Sequence, residues 1–133
     1  MKKIILSILF LFTISFCNAQ IVKYDAIYMN IRLFNDTTQQ FYNWEGWEEC
    51  QLIVQIDLKT LVITINSEKE QVYDIQSLLE KEQDHVKRIS TFKALDVDKG
   101  ECIIILIRIF PTQQEYLHIN WRNLQLAYEI KRQ

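Results

Sequence analysis

The chain has 133 residues, 49% of them hydrophobic, and a net charge of −2. That is the size of one domain, large enough to bury a core. Its 15 basic residues form no stripe, which excludes the ordinary signature of nucleic-acid binding and of attraction to anionic membrane surfaces.

The chain opens with Lys2 and Lys3, an apolar run from Ile4 to Phe16, and Cys17-Asn18-Ala19 before Gln20. A positive start, an apolar middle and small residues at the end make a secretory signal peptide, cleaved after Ala19. The bulk of Phe16 argues against lipid attachment at Cys17. The expected product is a single β domain of residues 20–133, periplasmic or extracellular, with no transmembrane span of its own. Removal of Lys2 and Lys3 takes the net charge from −2 to −4.

From Gln20 onward the hydrophobic pattern has a period of two, which marks strands with one face inward. Ile27, Met29, Ile31 and Leu33 form the first such set, read here as core-facing. Phe41 to Glu49 follows as the densest cluster, with Tyr42, Trp44 and Trp47 among Glu45, Glu48 and Glu49. Flat rings beside carboxylates suit a sugar or another ligand with one apolar face. Equally, Trp44 and Trp47 would close one end of a barrel while the glutamates face water. Glu45, Glu48 and Glu49 are too close in sequence to flank a glycosidic bond as an acid and base pair.

Leu52, Val54, Ile56 and Leu58 alternate, then Leu61, Ile63 and Ile65, with a tight turn between them. Val72 to Ile75 is another short strand. Ser77-Leu78-Leu79-Glu80 has the form of a helix capping box, and Lys81 to Arg88 is rich in helix formers. A short helix is therefore expected near residues 77–88. Ile89 to Leu95 returns to the strand pattern. Asp96 to Gly100 makes a turn, because it lacks the ligand spacing of a calcium loop. Cys102 to Phe110 is a nearly continuous apolar strand ended by Pro111. Leu117, Ile119 and Trp121 alternate with the polar row Tyr116, His118 and Asn120, before a last strand through Leu124, Leu126, Tyr128 and Ile130. Six to eight strands joined by short turns predict an all-β antiparallel meander, as a small barrel, curved sheet or sandwich.

Cys50 and Cys102 are the two cysteines after the leader. In an oxidising compartment such a pair is expected to form a disulfide, while two buried thiols are the other reading. No metal or cofactor is expected, since two cysteines without neighbouring histidines make no tetrahedral set. His85 lies in a charged stretch, and no nucleophile or metalloprotease motif accompanies His118. Catalysis therefore has no seat in the sequence.

The leader ending Asn18-Ala19-Gln20, the pair Trp44 and Trp47, Gln71-Val72-Tyr73-Asp74-Ile75, the Asp96 to Cys102 turn and the closing Tyr128 resemble small secreted all-β proteins of Bacteroidota. The resemblance implies an exported all-β domain and no particular activity. The function expected is non-enzymatic binding of a small molecule or glycan, with Tyr42, Trp44, Trp47 and His118 as the ligand-binding residues. A protein-interaction module, such as an inhibitor or an accessory subunit of an envelope complex, is the alternative.

Overall fold

A computed structural model describes residues 20–133, so the expected leader and its Cys17 lie outside the described residues. Nine strands follow in sequence: β1 (Ile21–Asn35), β2 (Gln40–Phe41), β3 (Glu48–Asp57), β4 (Val62–Ile65), β5 (Gln71–Gln83), β6 (Lys87–Leu95), β7 (Glu101–Ile109), β8 (Gln114–Asn120) and β9 (Leu124–Arg132). Every pairing is antiparallel, and β1 pairs with both β3 and β9. The sheet thus closes on itself as an eight-stranded barrel, with the two-residue β2 added beside the end of β1. Closure pairs β1 on both sides and so removes the two outer edges that an antiparallel meander would otherwise present; β5 keeps a second partner only as far as Ile75.

Four of the turns are written by aspartate or asparagine. The Oδ1 atoms of Asn35, Asp57, Asp84 and Asp96 each accept two backbone N–H groups of the turn that follows. Leu61 and Lys99 then take φ near +60°, the left-handed step that ends such turns. These hydrogen bonds hold the carboxyl groups of Asp57 and Asp84 below their ordinary pKa.

Inside, Val54, Ile63, Ile65, Ile104, Leu117, Ile119 and Tyr128 are at most 1% exposed and fill the middle of the barrel. The end near the β4–β5 turn is plugged. Tyr73 donates to Gln71 Oε1 (2.5 Å), and the Gln71 amide donates to the Tyr128 hydroxyl (3.1 Å). Trp121 packs on Tyr73 with ring centroids 5.9 Å apart and donates its Nε1–H to Asp96 Oδ2 (3.0 Å).

Three expectations change here. The helix near residues 77–88 is instead a β5–β6 hairpin turning at Asp84. Register shifts between Ile75 and Ser77 and between Leu78 and Glu80 each displace the alternation by one residue, so the period of two is erased from the sequence. Glu80 and Glu82 share one face of the strand, and their hydrogen-bonded proximity raises the pKa of Glu80.

The first inward set is also different. A shift between Ala26 and Tyr28 places Met29, Ile31 and Leu33 on the same inner face as Tyr24 and Ala26, while Ile27 falls at the break. Finally, Cys50 and Cys102 are free thiols. They lie on β3 and β7, four strands apart in a ring of eight, and therefore on opposite walls. Eight tilted strands make a ring about 16 Å across. A disulfide needs Cα atoms within about 7 Å. Each thiol instead points at a carbonyl on a neighbouring strand: Cys50 at Ala26 O (3.3 Å) and Cys102 at Ala94 O (3.7 Å). Burial pushes the Cys102 thiol up to about 11.

Candidate functional site

Beyond Met29, β3 leaves β1, and the inward-running edge of β1 needs other partners. The segment from Tyr42 to Gly46 supplies them as an irregular strap. Tyr42 N–H donates to Leu33 O (2.8 Å), and Glu45 N–H donates to Ile31 O (3.0 Å). Gly46 N–H donates to the side-chain Oδ1 of Asn30 (2.9 Å), which also accepts from Ile31 N–H (2.9 Å). Gly46 sits at φ +115°, a backbone setting that side-chain-bearing residues rarely adopt.

From this strap two tryptophans reach across the outer wall. Asn30, Ala127 and His118 form one row across β1, β9 and β8, and Ala127 is 2% exposed although it faces outward. Trp44 meets His118 edge-on at 6.2 Å between centroids. The Arg32 guanidinium lies between the rings of Phe41 (5.0 Å) and Trp44 (4.7 Å). Its Nε–H donates to Gln125 Oε1 (2.6 Å). Burial, and then the Arg32 cation, lower the pKa of His118, so its imidazole is neutral at pH 7. Directly after the strap, Trp47 covers Tyr116 at 6.0 Å. Burial and the neighbouring Glu129 raise the pKa of Tyr116.

The arrangement joins three of the four residues singled out from sequence. Trp44 and His118 touch, and Trp47 lies on Tyr116, the neighbour of His118 on the same face. Tyr42 stands apart, exposed, and joins neither ring pair. Trp44 and Trp47 do not close a barrel end, since they lie on the outer wall. Asn30 and Arg32, which position the strap, were visible in sequence only as polar members of the β1 alternation. Only the pairing of β1 with β9 carries them to β8.

Beside this platform the β1–β3 ladder breaks, and Ile27, Cys50 and Gln51 fall outside its paired positions. A cleft of about 730 Å³ opens there, lined by those three residues with Tyr28 and Glu49. Tyr28 is in register with Glu129, and Glu129 with Tyr116, so the cleft and the Trp47–Tyr116 pair share one wall. Trp47 is 49% exposed and Tyr28 37%. The rings thus present open faces, backed by a framework already fixed by the strap.

The Arg32 cation is committed to two rings and Gln125, and His118 is neutral and covered. Among the described residues, no group of three or more histidine, cysteine, aspartate or glutamate side chains is placed to hold a metal ion. Nor is any described helix long and apolar enough to cross a membrane.

Together the fold and site define a closed antiparallel barrel with an aromatic platform strapped to its outside. No protein-family model, curated protein or solved structure matches the chain.

Proposed function

We propose that the protein is an exported, non-enzymatic binding protein that takes a neutral ligand with a flat apolar face, a sugar ring above all, on its outer wall. One observation carries this reading. The 730 Å³ cleft at the β1–β3 break adjoins the half-exposed Trp47 on Tyr116, with Glu49 at its lip. The volume lies within the range of small-molecule sites. A ring stacked on Trp47 or Tyr28 would leave its hydroxyls to the Glu49 carboxylate and to backbone groups where the ladder is broken. The filled barrel centre argues against a ligand held deep inside.

Tryptophan fluorescence titrated with a panel of neutral oligosaccharides tests this. A saturable change is expected, weakened at least tenfold by Trp47→Ala and by Glu49→Gln. Binding that is indifferent to both substitutions would refute the site.

A second reading, a protein-interaction module, is favoured by the β5–β6 hairpin. Beyond Ile75, which donates to Leu61 O, β5 pairs with β6 alone. Residues 76–83 therefore offer a free strand edge, and Leu78 and Leu79 beside it are 54% and 52% exposed. A partner strand could add there. Shortening the hairpin by deleting residues 80–87 would abolish such a contact and spare the platform.

A further inference from the structure

The plugged end of the barrel has an opposite. At the end where β1 begins and β9 finishes, the inner row passes from Leu106 and Ser90 to Arg88, Arg108 and Glu115, which face one another across β6, β7 and β8. Lys81 joins them from β5, opposite Ser90, and Tyr24 from β1, opposite Arg132. These side chains surround a cavity of about 160 Å³ in the mouth of the barrel, floored by Leu106.

The charges there do not balance. Arg88 and Arg108 are directly opposed, an arrangement that costs stability when both are charged. Lys81 adds a third cation, against the single carboxylate of Glu115. Among the described residues the one ion pair within 4 Å is Lys93 with Glu101 (3.2 Å), on the outer wall. Glu115 therefore neutralises none of these cations by direct contact. Arg108 Nε, moreover, is screened from solvent and has no hydrogen-bond partner. A buried donor left unmade costs free energy that a bound acceptor would recover.

The guanidinium is held in place on its other sides. Arg108 Nη2 donates to Gln113 Oε1 (3.0 Å), and the group lies 6.0 Å from the centre of the Phe110 ring. The Tyr24 hydroxyl remains protonated, its pKa raised by burial and by Glu115, so it can donate.

We propose that this mouth is a binding site for a small oxyanion, a carboxylate or phosphoryl group, gripped by Arg108, Arg88 and Lys81 with Tyr24 as a neutral donor. The planar fork of an arginine matches two oxygens of such a group. The cavity admits a head group and a short apolar stem against Leu106, while Leu117 and Ile104, both 0% exposed, leave no passage deeper. The site is separate from the outer platform, and either stands without the other.

Calorimetric titration of the protein at pH 7 and constant ionic strength, with inorganic phosphate in one series and butyrate in another, is the test. Saturable binding of at least one anion is expected, weakened about tenfold or more by Arg108→Gln and by Arg88→Gln. Arg122→Gln, a change outside the cavity, should leave it unaltered. Preference for butyrate would assign the carboxylate form, and preference for phosphate the phosphoryl form. Because Arg108 is partly buried, its variant could unfold; the exposed Arg88 variant then decides. No saturable heat with either anion, or equal affinity in the Arg88 and Arg122 variants, overturns the proposal.

Discussion

Asn30→Ala tests how the platform is held. The Asn30 side chain is 7% exposed and outward-facing, and its Oδ1 accepts from Ile31 N–H and Gly46 N–H, both at 2.9 Å. Alanine removes both acceptors at once. Gly46 is exposed and can turn to water, whereas Ile31 is half-buried and its N–H loses a partner where water reaches poorly. One such orphaned donor costs about 1–3 kcal/mol. For a domain of this size that is a fall in Tm of roughly 4–12 °C. With the Gly46 anchor gone, Trp44 and Trp47 lose their fixed setting, so the near-UV circular dichroism of the tryptophans should collapse before the far-UV strand signal does. Asn30→Asp retains an acceptor oxygen close to Arg32 and should lose clearly less. The measurements are urea unfolding followed by fluorescence, with circular dichroism in both ranges. If Asn30→Ala stays within about 0.5 kcal/mol of the parent with its near-UV spectrum intact, the strap is not anchored through Asn30 and the reasoning fails.

Free thiols make a second expectation: a reducing agent should leave Tm unchanged, and the intact mass should show Cys50 and Cys102 with both protons. A disulfide closing that loop would instead add about 4 kcal/mol, roughly 16 °C of Tm lost on reduction. For His118, the folded pKa lies below the unfolded value of about 6.5, so the unfolded chain takes up the proton more readily. Its contribution is fully present above about pH 6.5 and is lost as pH falls through the folded pKa. His118→Gln should flatten the stability profile between pH 7.5 and 5, and an unchanged slope would contradict the covered imidazole. In the barrel centre, Ile104→Ala should cost about 2–5 kcal/mol, because Ile104 is 0% exposed and its neighbours on β6 and β8 are fixed by their ladders. A loss below about 1 kcal/mol in chemical denaturation would mean that the centre can collapse or is hollow.

The alternating residues of β3, β4, β8 and β9 and the nearly continuous apolar run of β7 mark the chain as all-β by themselves, because side chains on successive strand residues must face opposite ways, and the short turns between the strands make it antiparallel. Their turns are equally local: Asp57 and Asp96 accept the N–H groups of the residues that follow, whatever lies elsewhere. Tertiary structure decides what depends on register. The shifts at Ile27 and at Gln76 and Leu79 move the inner face by one residue, which hides the true inward set of β1 and gives β5 the look of a helix. Closure of β1 on β9 is a pairing across the whole length of the domain, and no local pattern encodes it. It is this closure that brings Arg32 to Gln125, sets Trp44 against His118, and places Cys50 and Cys102 on opposite walls. The aromatic cluster was legible as a run of residue types, but its position on the outer wall was not. The cations of the barrel mouth were less legible still: Lys81 and Arg88 lie in the stretch that reads as a helix, Arg108 lies in β7, and only the register of β5, β6 and β7 turns all three inward.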